Sequence, residues 1–465
     1  MGITIEMPGT YTPEREYVMQ VVFGVFLRIE YRIEYACCEA VTLKLPNGKS
    51  IVFIDSLFGV DESIWLTERV LPEMPLSMFD TGKLHAAYST SDPVLPVIYG
   101  NPCVNVDEYK DSVECRIDIF GSIFFMLSRY EEYVLTSRDI HDRFPGHVSL
   151  AFRAGFIEKP IVNCYLELLW FLLQMQCSSL ERNQHHFMMS PTHDVDRPFE
   201  YYLLPLQRAM RIAAADVLRR RSIRLAVSNI YRWGKAKVTN GVQDVNNTFD
   251  YLMGESEKRE LVSRFYFLAG AGEQEPCFDR PYKITHPAIA RLMTDINDRG
   301  HEIGLHTGYG TYLSEDLTCA EMRRLVLQCK ELNISQAIRG GRQHYLRWRN
   351  PDTQRNLDSC GLDYDSTMGF ADLAGFRSGT CYEYPLYDMI ARKTLKLRER
   401  PLIAMDSVIL SGVKEQRRTI DECYEQLCRL KRKCQEYGGV FTLLWHNSNL
   451  GTSEYKRLYE AVLDA

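Results

Sequence analysis

Four short stretches of this 465-residue sequence combine carboxylates, imidazoles and guanidinium groups, the side chains that bind metals and move protons. They are THDVD at 192–196, HTGY at 306–309, RQHY at 342–345 and WHNS at 445–448. Each comes where a run predicted to be a strand ends. Since parallel strands bring their carboxyl ends to one edge of a sheet, we expect the four stretches to meet there.

Asp194 and Asp196 are two positions apart, so on an extended segment their side chains point to the same side and His193 points to the other. Adjacent carboxylates repel each other, and a cation, a shared proton or a hydrogen-bond network must offset their charge. Taken alone, the pair could also form a helix cap or a turn before Arg197 and Pro198.

His301 and His306 are five positions apart on a predicted strand and therefore point to opposite faces. We therefore do not expect the two rings to bind the same ion. His306 lies at the carboxyl end of the strand, so we predict it to be a metal ligand and His301 to be structural.

His344 lies in the segment GGRQHYLRW, where two glycines allow close approach of the backbone. Arg342 and Arg347 of that segment could bind carboxylates or substrate oxygens, and a salt bridge within a loop is the alternative. His446 ends an apolar strand and is followed by Asn447, a candidate for substrate binding or for support of the site. A half-buried strand end suits a general acid, although a hydrogen-bonded core histidine is the usual alternative.

Each of these alternatives is reasonable alone, but their coincidence at four strand ends favours one shared site. A mixed set of carboxylates and imidazoles suits zinc or another divalent transition metal. Such an ion would polarise a carbonyl group and lower the pKa of a water molecule. The predicted cofactor is therefore a divalent metal, with zinc favoured.

The elements that position these residues alternate between strands and helices from about residue 182 onward. Apolar periodicity predicts strands at 187–196, 263–269, 301–306, 337–342 and 439–446, and helices at 286–300, 321–332 and 419–439. Such alternation favours parallel strands with crossover helices. Before residue 182, strands at 41–45 and 50–54 and helices at 118–134 and 160–176 indicate an α+β region.

We therefore predict two domains, an α+β N-terminal accessory domain at 1–181 and an α/β domain at 182–465. The second contains a basic helical insertion at about 200–245, and its residues 205–240 include nine Lys or Arg and one acid, Asp216. A solvated face is the plain interpretation of these charges. The more specific interpretation is that this insertion makes peripheral contact with an anionic membrane surface.

At these residues the sequence resembles the NodB-type polysaccharide deacetylases, carbohydrate esterase family four, over about residues 187–460. THDVD is similar to the first motif of that family, GHEIGLHTGYG (300–310) to the second, RQHY to the third and LWH (444–446) to the last. The resemblance implies a NodB-like fold, an irregular (β/α) barrel of about seven parallel strands. It also implies Asp194 as base, Asp196 and His306 as metal ligands, and His446 as acid.

The reaction implied by the resemblance is hydrolysis of an N-acetyl group on an amino sugar, so the expected partner is a carbohydrate or a glycan precursor. Asp365, in GLDYDSTMGF, and Arg377, in GFRSG, are further candidates for substrate binding or for support of the site. Structural pairing in turns is the alternative for both residues.

The family normally has a second metal-binding histidine four residues after the first, and here that position is Gly310. His344 is the predicted replacement. The alternatives are a weakly held metal or no metal, which would make the chain a non-catalytic, sugar-binding or scaffold descendant. Hydrolysis of another small amide on the same scaffold is a third hypothesis.

Composition narrows the class of protein. The chain is 45% hydrophobic and 25% charged, which is typical of a globular protein, and its net charge of −6 gives no indication of nucleic-acid binding. The N-terminus does not resemble a signal peptide, and the apolar run at 166–176 is too short to span a membrane. These features predict a cytoplasmic protein, with membrane contact limited to the periphery.

Overall fold

The computed structural model describes residues 2–84, 92–107, 112–270, 278–279 and 282–464, which form two compact units. The first unit comprises Met1–Met188, Leu346–Ile403 and Leu430–Phe441, and the second comprises Met189–Tyr345, Ala404–Arg429 and Thr442–Ala465. Residues 346–403 and 430–441, which the sequence assigns to the second domain, thus fall in the first unit. The predicted domain boundary at residue 181 stays a prediction.

The amino-terminal part of the first unit is a mixed sheet accompanied by helices. Its strands are β1 (Ile3–Pro8), β2 (Tyr31–Ala36), β3 (Ala40–Lys44), β4 (Ser50–Ile54), β5 (Ser77–Asp80), β6 (Val94–Val97), β7 (Gly100–Asp107) and β8 (Ser112–Ile117). Its helices are α1 (Thr12–Met19), which continues as a π-helix (Gln20–Leu27), α2 (Ile119–Leu127), α3 (Tyr130–Val134), α4 (Leu150–Arg153) and α5 (Ile161–Gln176). The strand order is β2-β1-β3-β4-β8-β7, and β5 pairs with β6. The strands predicted at 41–45 and 50–54 are confirmed as β3 and β4.

The helix predicted at 118–134 is two helices, α2 and α3, which are separated at Arg129. The backbone of Arg129 is left-handed, with φ of 53°, and this conformation interrupts a helix. Its buried guanidinium pairs with Glu131 and Glu132, both at 2.9 Å, which stabilises the break. Apolar residues continue at helical spacing across the break, so the sequence pattern does not reveal it.

Strands and helices alternate along the second part of the chain. In order they are β9 (Met188–Val195), α6 (Leu206–Leu218), α7 (Ile223–Val238), α8 (Phe249–Glu257), β10 (Arg264–Leu268), α9 (Pro287–Asp298), β11 (Glu302–Thr307), α10 (Glu315–Glu331) and β12 (Gly340–Gln343). Next come α11 (Asp352–Ser359), β13 (Tyr364–Asp365), β14 (Tyr384–Asp388) and β15 (Lys393–Glu399), which belong to the first unit. The chain ends with β16 (Ala404–Met405), α12 (Asp406–Lys414), α13 (Ile420–Glu436), β17 (Val440–Leu444) and α14 (Ser453–Asp464).

The strands of the second unit follow the order β12-β11-β10-β9-β17-β16. The pairs β9–β10, β10–β11, β11–β12 and β16–β17 are parallel. In the first unit, β15 is parallel to β13 and antiparallel to β14. The mixed α/β class and the alternation of parallel strands with helices are therefore confirmed, whereas closure into a barrel of about seven parallel strands stays a prediction.

The register of the second unit brings the predicted strand ends together. Asp194 of β9 lies beside Tyr266 of β10, Leu268 of β10 lies beside His306 of β11, and His306 lies beside Arg342 of β12. Polar side chains that are far apart in sequence thus share one edge of the sheet, as expected for parallel strands.

Helix α5, the long apolar helix of the first unit, is buried rather than exposed. Ile161, Leu168 and Leu172 have no accessible surface. Among the described residues, no helix has the length and apolar character that crossing a membrane requires.

His193 has different partners from its neighbour Asp194, in keeping with the alternation of side chains along β9. Its Nδ1 donates to the carbonyl oxygen of Trp445 at 2.7 Å, and its Nε2 accepts from the hydroxyl of Ser263 at 3.2 Å. The ring is fully buried. Because burial disfavours the charged ring, the pKa of His193 is lowered to about 4.

We predict that His193 makes the protein less stable as the pH falls below about 6.5. The unfolded chain, in which the pKa of histidine is about 6.5, takes up this proton before the folded chain, in which the pKa is about 4. The contribution is complete above about pH 6.5 and is lost between about pH 6.5 and 4, so that about 2 kcal/mol is lost at pH 5.

Thermal unfolding followed by circular dichroism at about pH 7.5 and pH 5 measures this effect. The difference in stability between the two pH values should shrink in a His193→Gln variant. It should be unchanged in the control His186→Gln, where the side chain is exposed. An equal pH dependence in the wild type and in His193→Gln would contradict the prediction.

Candidate metal centre

Asp196, His306 and His344 come together at the carboxyl ends of β9, β11 and β12. Their candidate ligand atoms all lie within 4.8 Å of one another. The Nε2 atom of His306 is 3.1 Å from Asp196 Oδ1, and the Nε2 atom of His344 is 3.5 Å from the same oxygen. The second unit therefore contains a group of three residues that could hold a metal ion.

The chemistry of this group fits a divalent cation. Asp196 Oδ1 and His306 Nε2 are both buried, and neither forms a hydrogen bond with any described residue. A buried polar atom without a partner costs about 1–3 kcal/mol, so both atoms would gain from a shared cation. One carboxylate and two imidazoles are a ligand set that suits zinc and similar metals.

A hydrogen bond at Nδ1 fixes the orientation of each of the two imidazole rings. Nδ1 of His306 donates to the carbonyl oxygen of Arg342 at 2.7 Å, and Nδ1 of His344 donates to Asp279 Oδ1 at 2.6 Å. Asp279 also accepts the backbone N–H of Tyr309 at 3.0 Å, so its carboxylate is held from two sides. Because Nδ1 is the donor in both rings, the neutral form of each ring presents Nε2 as an acceptor, the form that binds a metal.

The protonation of these ligands is interdependent. Burial would raise the pKa of Asp196, but His344 and His306 outweigh that effect and hold it well below its ordinary value. Burial would likewise lower the pKa of His344, but the carboxylates of Asp196 and Asp279 raise it to about 10. The carboxylates that attract a proton to His344 also attract a cation, so a metal and a proton compete for this site.

Asp194 lies beside the three candidate ligands. Its Oδ1 accepts a hydrogen bond from Arg342 Nη1 at 2.9 Å, and its Oδ2 is 3.7 Å from His306 Nε2. The same Nη1 atom of Arg342 lies 3.0 Å from the hydroxyl oxygen of Thr192. The guanidinium therefore offsets part of the repulsion between Asp194 and Asp196 and also orients the Asp194 carboxylate.

His446, which follows β17, completes the cluster. Its Nε2 is 3.6 Å from Asp196 Oδ2, and its Nδ1 donates to Asp406 Oδ1 at 2.7 Å. Asp406 is fully buried and also accepts the backbone N–H of His446 at 2.8 Å and the side-chain amide of Asn449 at 2.9 Å. Burial would lower the pKa of His446, but Asp406 and Asp196 raise it to about 9. The ring is therefore protonated at neutral pH.

Asn447 is held next to this cluster by backbone groups. Its Nδ2 donates to the carbonyl oxygens of Arg197 at 3.0 Å and Asn246 at 2.7 Å. Its own carbonyl oxygen accepts the hydroxyl of Thr248 at 2.8 Å. These contacts fix the loop that carries His446, and a direct contact of Asn447 with substrate stays a prediction.

The other predicted site residues belong to the first unit. Arg347 donates to the carbonyl oxygen of His141 at 2.8 Å, and Arg377 forms a two-pronged ion pair with Glu132 at 2.6 and 2.9 Å. Asp365 Oδ1 accepts a hydrogen bond from the hydroxyl of Thr367 at 2.5 Å. All three side chains thus have partners within that unit, and their contact with substrate stays a prediction.

Two residues of the cluster, Asp279 and Asp406, were not predicted from the sequence. Asp279 lies in a segment between β10 and α9 where no periodicity or motif marks it. Asp406 follows β16, a strand of only two residues, Ala404–Met405. The usable signal at Asp406 was an acid directly after the apolar run LIAM at 402–405, which resembles the arrangement at β9.

Comparison with known proteins gives a partial match to one family and distant structural neighbours. Residues 3–178 match a family described as a family of unknown function, DUF7033. No curated protein matches the sequence.

Three solved structures are similar to this chain at low identity. A protein described as a polysaccharide deacetylase from Mycobacterium smegmatis is 16% identical with a TM-score of 0.37, covering 61% of this chain and 84% of its own. One so described from Pseudomonas aeruginosa PAO1 is 15% identical with a TM-score of 0.37, covering 60% and 84%. Puue allantoinase is 11% identical with a TM-score of 0.33, covering 60% and 83%.

We predict that zinc or cobalt binds at one site per chain and that His344 is needed for tight binding. A His344→Ala variant lacks one of the two imidazole ligands. Its affinity for the metal should fall by more than about 10-fold, because loss of a residue that only supports a ligand already lowers metal affinity by about 10-fold. Isothermal titration calorimetry of the metal-stripped protein measures this affinity.

His301→Gln is the matched control, because His301 directly precedes β11 and is buried, but its Nδ1 accepts the backbone N–H of Ser263 at 3.2 Å. This control should bind metal like the wild type. Equal affinity of His344→Ala and the wild type would exclude His344 as a ligand.

Proposed function

We propose that this protein is a metal-dependent hydrolase that removes N-acetyl groups from an amino sugar in a polysaccharide or a glycan precursor. The observation that carries the proposal is the position of Asp194 and His446 against the group of Asp196, His306 and His344. One edge of a sheet thus combines a candidate metal site with a carboxylate and a protonated imidazole. The similarity of the four sequence motifs to those of the NodB-type deacetylases supports the choice of an amide substrate.

A bound divalent cation would supply Lewis acidity, which polarises a carbonyl oxygen and lowers the pKa of water. Asp194 is the proposed general base. Its Oδ1 is occupied by Arg342, while its Oδ2 lies 3.7 Å from His306 Nε2, on the side of the candidate metal ligands. These contacts support Oδ2 as the oxygen that takes a proton from a water molecule at that site.

His446 is the proposed general acid. An amide nitrogen leaves readily only when it is protonated, so the reaction needs a proton donor next to the scissile bond. The Nδ1 atom of His446 donates to Asp406, which leaves the Nε2 proton directed towards the cluster. Asp406, which is not one of the proposed metal ligands, raises the pKa of His446 and so favours the ring that carries this proton. Asp406 is a positioning residue, because it acts through His446.

An aromatic cluster beside His344 supports a sugar as the substrate. The rings of Phe278 and Tyr309 are stacked at 4.1 Å, and the ring of Tyr345 meets Tyr309 edge-on at 5.2 Å and His344 at 4.7 Å. Phe278 and Tyr345 keep part of their surface accessible. Flat apolar ring faces complement the C–H faces of a pyranose and help to orient it.

Gly310 favours a second candidate function, a non-catalytic sugar-binding or scaffold protein. It occupies the position at which the NodB-type motif has its second metal-binding histidine. Hydrolysis of another small amide at the same cluster is a further candidate. The candidates differ in whether acetate is released and from which substrate.

We predict that the zinc- or cobalt-loaded protein releases acetate from N-acetylated chitooligosaccharides and that Asp194→Asn lowers kcat by about 10²–10⁴-fold, the usual contribution of a general base. Metal content should be unchanged, because Asp194 is not one of the three proposed ligands. Acetate release and metal analysis on the same samples measure both quantities.

Asp298→Asn is the control for loss of a carboxylate, since Asp298 is an exposed acid of α9 in the same unit. Its activity should equal that of the wild type. Full activity of Asp194→Asn would refute the assignment of the base. Oligosaccharide binding without acetate release by the metal-loaded wild type would favour the non-catalytic candidate.

A further inference from the structure

The helical insertion of the second unit forms a basic hairpin, defined here as α6, α7 and the turn that joins them (206–238). Its one acid, Asp216, has no accessible surface and binds Arg220 Nη1 at 2.8 Å and Asn229 Nδ2 at 2.7 Å. The solvent-facing charge of the hairpin is therefore entirely positive. Its exposed cations are Arg208, Arg211, Arg219, Arg220, Arg221, Arg224, Arg232 and Lys235.

Helix α7 carries an apolar stripe on its solvent-exposed side. Ile223, Val227, Tyr231 and Val238 follow one another at intervals of 4, 4 and 7 residues, which places them along one face of the helix. They are 70%, 63%, 66% and 84% exposed. Since a globular helix normally turns its apolar stripe towards the core, this face is available for a partner.

Helix α6 repeats the arrangement. Leu206, Met210 and Val217 are spaced by 4 and 7 residues, and each has 41–55% of its surface exposed. Leu218, beside this stripe, is 78% exposed. Exposed apolar residues that are this dense and flanked by cations mark a site of protein or membrane contact.

The packing within the hairpin uses a different set of residues. Ala209 of α6 and Ala226 and Ala236 of α7 are buried, as is Asp216. Small side chains thus form the most buried part of the inner surface, and Ile212, Ile230 and Trp233 are half-buried beside them. The exposed stripes are therefore additional to the apolar surface that holds the two helices together.

The base of the hairpin is fastened next to the candidate metal centre. Asp244 accepts the backbone N–H groups of Tyr201 and Tyr202 at 2.8 Å, which joins the segments before α6 and after α7. Asn447 donates to the carbonyl oxygens of Arg197 and Asn246, one on each of these segments. Because Asn447 directly follows His446, the hairpin starts from the same sheet edge as the cluster.

We propose that the basic hairpin docks this protein on the surface of an anionic lipid bilayer. The apolar stripes would enter the boundary between headgroups and acyl chains, and the flanking Arg and Lys residues would meet the lipid phosphates. Charge complementarity selects this partner over a second copy of the chain, because pairing of two hairpins would bring two positive surfaces together. The proposal concerns the hairpin alone and does not depend on the proposed function.

Vesicle flotation with the full chain tests the proposal. At low salt the protein should float with vesicles of phosphatidylcholine containing about 30% phosphatidylglycerol, and about 10-fold less should float with pure phosphatidylcholine vesicles. Raising the salt to about 0.5 M should reduce the bound fraction, because screening weakens the attraction to lipid phosphates. Absence of flotation with the anionic vesicles would overturn the proposal.

Two hairpin variants separate the apolar and electrostatic contributions. The apolar variant combines Ile223→Asn, Val227→Asn and Val238→Asn, and the charge variant combines Arg208→Glu, Arg211→Glu and Arg219→Glu. The matched control combines Arg323→Glu with Leu327→Asn on α10, where both side chains are also exposed. All substituted side chains face solvent, so circular dichroism should be unchanged in the three variants.

Both hairpin variants should lose flotation with the anionic vesicles, and the control should retain it. Flotation of the charge variant at the wild-type level would overturn the proposal. Self-association in the absence of lipid, measured by light scattering and abolished by the apolar variant, would overturn it in favour of a protein interface.

Discussion

The rest of the cluster depends on the negative charge of Asp196. One oxygen of this carboxylate is buried away from water, so the charge must be compensated by neighbouring groups. A buried charge without compensation is costly, and two imidazoles lie within 3.5 Å of that oxygen, those of His306 and His344. Asp194, only two residues away in sequence, is paired instead with the guanidinium of Arg342. The two carboxylates thus have different partners, and different partners allow one to hold a metal and the other to move a proton.

Much of this arrangement follows from patterns that are visible in the sequence. The alternation of side chains on an extended segment assigns Asp194 and Asp196 to one side and His193 to the other. Parallel strands with crossover helices then require His306 and the segment of His344 to meet them at one sheet edge. His344 is also evident from the sequence as a candidate ligand, and the structure places it beside His306 with ring centroids 4.9 Å apart.

Other features depend on packing that no local pattern records. Asp279 contacts His344 from a segment without periodicity. Asp406 contacts His446 from the end of a strand that is too short to show a periodic pattern. The left-handed backbone of Arg129 is stabilised by buried carboxylates, not by its own preference. The ion pair of Arg377 with Glu132 within the first unit is likewise a contact that only the tertiary structure reveals.

X-ray absorption spectroscopy of the zinc-loaded protein tests most directly whether Asp196, His306 and His344 bind one ion. The predicted spectrum requires nitrogen and oxygen ligands at about 2.0–2.1 Å, with scattering from two imidazoles. In the zinc-loaded His344→Ala variant the fit should require one imidazole. Two imidazoles in that variant, or sulfur ligands in the wild type, would contradict this metal site.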